Sequence, residues 1–341
     1  MADRLNFLPG PVDISAEVQT AFAAPPIWHR SDAFVEHYDQ TRKLLKAIGK
    51  CKHVGLMVGS GTLANAVIAQ ELKKLPTRGL VLSNGEFGER LVRQARQIGL
   101  NADAYAMEWG QRFFPEDVQN RLAGKGWLWL AQCETSTGAV NLEPWIIPYC
   151  QRHSIKLCLD GMSAAGCMDV DYSSMYMASA SSGKGFESYS GIAMVFYNHE
   201  PEPGDIGHPY FDLSTYHEVA SPPFTFSSNL LLALHAALAH TDYKAKCAHN
   251  ASHADKLKRW LNSRELITPL LDAQQSDHIW SFVPPPGKFS FEIGTVLEQR
   301  GVALHFKNNY LQSRNWLQLA LLTNHSDEDM DATFDAFDRV F

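Results

Sequence analysis

His53-Val54-Gly55-Leu56-Met57-Val58-Gly59-Ser60-Gly61-Thr62 is the stretch whose reading decides the class of fold. Its first six residues are an apolar run of strand length, and Gly59-Ser60-Gly61 turns the chain. Thr62 to Leu75 then reads as a helix, which Pro76 ends. The same alternation of strand-like and helix-like segments continues downstream. Residues 79–83 are the next strand candidate, closed by Asn84-Gly85. Gly126–Ala131 follows, then Ile155–Leu159, which breaks at Asp160-Gly161. Residues 175–180 and 191–197 complete the set. Ile192-Ala193-Met194-Val195-Phe196 is apolar throughout, as a strand covered on both faces should be. Strands and helices alternating in this way predict an α/β domain.

After Tyr197 the texture changes. Residues 198–223 are rich in Pro, Gly, His and acidic residues and read as irregular chain. A helical run, Asn229 to His240, leads into a second region. That region ends in a helix with Met330, Phe334, Phe337 and Phe341 on one face. The boundary between the two is placed near residue 235.

The 341 residues exceed one average domain, and with 45% hydrophobic and 20% charged residues they can build a sizeable core. A formal net charge of −7 argues against a nucleic-acid protein, which needs a basic face. The six cysteines are scattered, without a CxxC pair, and several sit in apolar runs. They read as buried, reduced thiols. With no signal core or membrane-spanning stretch, a cytoplasmic protein is expected, with no membrane partner and no metal.

Three places could carry chemistry. Gly59-Ser60-Gly61-Thr62 joins a strand to a helix, where unpaired backbone N–H groups and the hydroxyls of Ser60 and Thr62 can take a phosphate. The same residues, extended to Ala64, also fit the G-x-G-x-x-A pattern of a dinucleotide site with Glu86 downstream, so a nicotinamide dehydrogenase stays open. Asp160 is a carboxylate at a strand end, where open α/β sheets bind ligands, and it also reads as a helix cap or ion-pair partner. Lys184, in Ser181-Ser182-Gly183-Lys184-Gly185, is a long side chain among small ones. It can be a solvated loop lysine, or an amine that forms a Schiff base with an aldehyde. A phosphate cradle, a strand-end carboxylate and a loop lysine, in this order, are the anchors that pyridoxal phosphate requires.

The sequence resembles the class V aminotransferases of fold type I, a family that includes serine/alanine–glyoxylate and 2-aminoethylphosphonate–pyruvate transaminases. Seven ordered motifs carry the resemblance: Leu8-Pro9-Gly10-Pro11, His29-Arg30-Ser31, Gly59-Ser60-Gly61-Thr62, Asn84-Gly85-Glu86-Phe87-Gly88-Glu89-Arg90, Glu134-Thr135-Ser136-Thr137-Gly138, Asp160-Gly161-Met162-Ser163 and Ser181-Ser182-Gly183-Lys184. It implies a seven-stranded, mostly parallel sheet flanked by helices, with an N-terminal arm (1–20), a large cofactor-binding domain (21–235) and a smaller C-terminal α+β domain (236–341).

It also implies roles. Lys184 would hold pyridoxal phosphate as a Schiff base and move the substrate α-proton, and Asp160 would pair with the ring nitrogen. Phe87 and Met162 would pack the two ring faces, or be plain core residues. Thr135 would bond the ring hydroxyl, and Ser60, Gly61 and Thr62 would cradle the phosphate. Thr225, in Phe224-Thr225-Phe226-Ser227, would reach the phosphate of the other subunit in a homodimer with shared sites.

Two departures bear on substrate. Where the family carries an arginine that clamps the substrate carboxylate, this chain aligns Gln318, with Arg314 nearby as a substitute and Arg30 as a further candidate substrate contact. The residue before the lysine, often polar in the family, is Gly183. The implied activity is transfer of an amino group from a small donor to a 2-oxo acid. A lyase on the same cofactor is the alternative, and a relative without catalytic function is another.

Overall fold

The computed structural model describes residues 4–205, 207–264 and 274–340. Seven strands form the main sheet: β1 His53–Val58, β2 Gly79–Ser83, β3 Ala102–Ala106, β4 Trp127–Ala131, β5 Lys156–Asp160, β6 Met177–Ser181 and β7 Ile192–Tyr197. Their order across the sheet is β1-β7-β6-β5-β4-β2-β3. Neighbours from β6 to β3 run parallel, and β7 runs antiparallel to both β1 and β6.

Apolar runs become strands here because both faces of the sheet are covered. Alternate residues enter opposite cores: Leu128 and Leu130 pack on one side, Trp127 and Trp129 on the other. Six of the strands fall within two residues of their sequence-based positions. β3, Ala-Asp-Ala-Tyr-Ala, is the one the sequence did not announce. It pairs with β2 alone and is only partly buried, so it needs no apolar run. Residues 198–223 are largely irregular, with two short 3-10 turns at Pro209–Phe211 and Leu213–Tyr216.

A separate cluster of apolar side chains gathers residues from 254–261 and 280–337 with Phe7. Its frame is the antiparallel pair Ile279–Phe282 and Leu317–Ala320 with helices Tyr243–Arg264, Ser290–Gln299 and Asp327–Asp338. Met330, Phe334 and Phe337 are the buried face of the last helix, joined by Thr333, and Phe341 lies outside the described residues. Leu5–Asn6 adds a parallel strand to Val302–Ala303, so the N-terminal segment packs with this region. All six cysteines are free, four of them buried. No described helix is long and apolar enough to cross a membrane.

Candidate active site

The residues predicted to hold the cofactor, Thr225 apart, follow the C-terminal ends of β1, β2, β4, β5 and β6. Helix Gly61–Lys73 begins directly after β1, and its N-cap residue Ser60 makes no side-chain capping bond. The first N–H groups of that helix therefore keep their capacity for an anion. Ser60 and Thr62 are exposed beside it. Gly61 lies close against Met162, whose side chain would have to shift to admit a Cβ there. That contact brings the phosphate-cradle candidate against the second residue after β5.

Asp160, the last residue of β5, is 6% exposed. Its Oδ2 accepts from Asn65 Nδ2 at 2.8 Å and its Oδ1 from Met162 N at 3.0 Å. Asn65 is a polar residue on the buried side of helix Gly61–Lys73, and Ser179 Oγ donates to its Oδ1 at 2.6 Å.

Lys184 lies half-buried in the turn between β6 and β7. The turn is fixed from several sides. Ser182 Oγ donates to Tyr189 O and accepts from Ile192 N. Lys246, its side chain fully buried, donates to Gly185 O at 2.8 Å and pairs with Glu187 at 3.1 Å. Gly10 sits against the lysine stem: a Cβ there would be 3.5 Å from Lys184 Cγ. Gly183 is pressed on Ser190, whose backbone Cα a Cβ at that position would approach to 2.9 Å. Burial pushes the Lys184 ammonium below the usual lysine range; the Asp160 carboxylate opposes this and Arg90 adds to it.

Phe87 opens helix Glu86–Gln97, and its ring centroid is 5.6 Å from Lys184 Nζ. A fully buried carboxylate holds that helix start. Glu134 accepts from Phe87 N at 3.2 Å, Gly88 N at 2.8 Å, Ser136 N at 3.1 Å and Ser136 Oγ at 2.6 Å. Burial raises its pKa despite these donors. The motifs around residues 84–90 and 134–138 are thus two halves of one structure, and a Cβ on Gly85 would strike the Glu134 side chain at 2.5 Å. Thr135, buried beside Glu134, shares a hydrogen bond with Ser163 Oγ.

Three residues read as substrate or phosphate contacts have other surroundings. Gln318 is 0% exposed, and its amide is spent inside the protein. Nε2 donates to Thr135 O and, at 2.8 Å, to Ser281 Oγ, while Oε1 accepts from His305 Nδ1 at 2.9 Å. The expectation that Gln318 faces the substrate is corrected accordingly: it braces Thr135 and has no donor left. Arg314 is exposed, and its Cζ lies 3.6 Å from the centroid of the Trp109 ring. Arg30 donates to Ser221 Oγ, Pro222 O and Pro223 O, pinning the segment that leads to the exposed Thr225. Sequence reading passed over Asn65, Ser163, Lys246 and His305. A polar residue on an otherwise apolar helix face was the available signal for Asn65. A cavity of about 420 Å³ lies elsewhere, between Arg4, Asp13, His240 and His325, and holds none of these residues.

A profile of the family described as Aminotransferase class-V matches residues 19–306. The soluble hydrogenase 42 kDa subunit of Anabaena cylindrica is 30% identical over 258 residues, 70% of this chain and 67% of that one. The 2-aminoethylphosphonate–pyruvate transaminase of Pseudomonas entomophila is 30% identical over 198 residues, and the match spans only 54% of each chain. Among solved structures, aspartate aminotransferase from Thermus thermophilus superposes with a TM-score of 0.89 at 23% identity, covering 98% of both chains. Alanine–glyoxylate aminotransferase from Nostoc sp. gives 0.89 at 20% identity, over 100% of this chain and 96% of that one.

The chain belongs to the class-V aminotransferase family. It has the family's fold type I architecture, and it is a pyridoxal-phosphate-dependent transaminase. The residues present fit that cofactor: an uncapped helix N-terminus for its phosphate, a buried carboxylate at Asp160 and a half-buried amine at Lys184.

Proposed function

We propose that this transaminase moves an amino group between a small amino donor and a 2-oxo acid, at a site built on Lys184 and Asp160. The observation that carries the reading is the convergence of a buried carboxylate, an amine held below its usual pKa and an uncapped helix start at one end of the sheet. Bound there, pyridoxal phosphate supplies an aldehyde that exchanges with amines and a ring that withdraws electrons.

The chain's own residues do the rest. Lys184 Nζ would bear the cofactor and would take and return the proton at the substrate α-carbon, a task that a lowered pKa suits near neutral pH. Asp160, held as an acceptor by Asn65 and Met162 N, would pair with the ring nitrogen. Ser60, Gly61 and Thr62 would hold the phosphate, Phe87 and Met162 would flank the ring, and Thr135 would bond its hydroxyl. For the substrate acid group we assign the exposed guanidinium of Arg314, with Arg90 beside Phe87 as the second cation at the mouth. The exposure of Thr225, on a segment pinned by Arg30, supports a homodimer in which it contacts the partner's phosphate. Free, mostly buried thiols support a cytoplasmic location. The division into arm, large domain and C-terminal domain at residues 20 and 235 goes with this reading.

Borohydride treatment of the holoenzyme, followed by peptide mapping, tests the site. The cofactor should be fixed to the peptide containing Lys184, and Lys184→Ala should give no adduct. An adduct on another lysine refutes the assignment.

A further inference from the structure

At the opposite end of the sheet, two imidazoles and a carboxylate converge with no part in the chemistry above. His53 is the first residue of β1, so about 17 Å of strand separates it from Val58 at the cofactor end. His217 and Glu218 follow the 3-10 turn Leu213–Tyr216. One donor atom from each of the three residues lies within 4.8 Å of the others. His53 Nδ1 is 3.8 Å from Glu218 Oε1, and the two imidazole centroids are 4.7 Å apart at 62°. We propose that His53, His217 and Glu218 bind a divalent transition-metal ion, of which zinc is the representative, through three protein ligands with water completing the shell.

Residue types and distances both support this. Two imidazoles and one carboxylate suit zinc and its neighbours, and a tetrahedral zinc places its ligand atoms roughly 3.3 Å apart. Closing from the present spacing takes about 1 Å, and Glu218, with a side chain 67% exposed, is free to move. Its φ of 48° lies in the left-handed region, which few residues other than glycine adopt.

An outer shell is already in place. Tyr197 Oη lies 3.1 Å from His217 Nδ1, and the Tyr197 ring stacks on His53 at 5.2 Å. With Nδ1–H donated to Tyr197, His217 keeps the Nε2 lone pair for the metal, as ligating histidines do.

Arg42, which donates to Val219 O at 2.8 Å, and Lys46 put positive charge nearby and limit the affinity.

The test is a zinc titration of the holoenzyme, stripped of metal with chelator and followed by calorimetry, with cobalt absorption as a second reading. One ion per chain is expected. Tyr197→Phe should weaken binding ~10-fold or more by removing only the orienting hydroxyl. His217→Gln and the surface change Glu218→Gln should each weaken it at least as much while transaminase turnover stays normal. A featureless titration, or wild-type affinity retained in either of these two variants, overturns the site.

Discussion

Asn65 Nδ2 donates to Asp160 Oδ2 at 2.8 Å, and Ser179 Oγ fixes the orientation of that amide by donating to Asn65 Oδ1 at 2.6 Å. A flipped amide would set its oxygen against the carboxylate, acceptor to acceptor, so Asp160 is held as an acceptor with a donor on each oxygen.

Asp160→Asn keeps the shape but removes the charge and places an NH₂ group where only donors face it. Turnover should fall by at least ~10²-fold, as for loss of a dominant electrostatic stabiliser. Phosphate anchoring by helix Gly61–Lys73 should persist, so cofactor content measured by absorbance stays near that of the parent. Near-normal turnover would make the carboxylate purely structural.

Glu134 gives a second prediction, on the link between folding and site geometry. Its carboxylate satisfies two backbone N–H groups of helix Glu86–Gln97 and two donors of Ser136. In Glu134→Gln one of those donors must face another. The cost should be about 2–3 kcal/mol, the range for buried hydrogen bonds to a charged group. Urea unfolding should show a lower midpoint at unchanged slope, and the cofactor should dissociate faster because Phe87 loses its anchor. An unchanged midpoint would refute the capping role.

The fold was legible because both faces of the sheet are buried. A strand such as Ile192–Tyr197, covered on either side, has no choice but to be apolar, whereas β3 at the edge leaves no such mark. Lys184 and Asp160 stood out because a long or charged side chain among small or apolar neighbours needs a reason. Gln318 misled for a physical cause: position in an aligned strand says nothing about hydrogen-bond partners. Its partners Thr135 and Ser281 lie 183 and 37 residues away in the chain. Glu134 was visible as a motif, but its task depends on a helix start some 46 residues earlier.

Acid should weaken the fold through two buried imidazoles and one half-buried one. Burial lowers His278, His199 and His325 from 6.5 to about 4. The unfolded chain binds protons below 6.5 that the folded one refuses. The stability these groups contribute is therefore full above pH 6.5 and lost as pH falls through 4. Unfolding free energy measured from pH 7.5 to 4 should drop, and His278→Gln should flatten part of that slope. A variant with the parental slope would show that His278 titrates normally.

The last prediction separates Gln318 from Arg314. Gln318→Leu leaves Thr135 O and Ser281 Oγ without their donor in a buried place, at a cost of about 1–3 kcal/mol. Because Thr135 sits next to Glu134 and shares a bond with Ser163, the damage should reach the cofactor: stability and cofactor affinity fall together for every substrate. Arg314→Ala removes an exposed guanidinium that rests on Trp109 and bonds nothing in the core, so stability should move by less than about 0.5 kcal/mol. If that guanidinium meets the substrate acid group, KM for a 2-oxo acid should rise about tenfold or more with kcat little changed, the signature of lost uniform binding. Gln318→Arg should not rescue it, since a guanidinium at that position forfeits the bond accepted from His305 and has no room to reach outward. An Arg314→Ala enzyme with parental KM would remove Arg314 from the substrate site and leave Arg90 as the cation to examine.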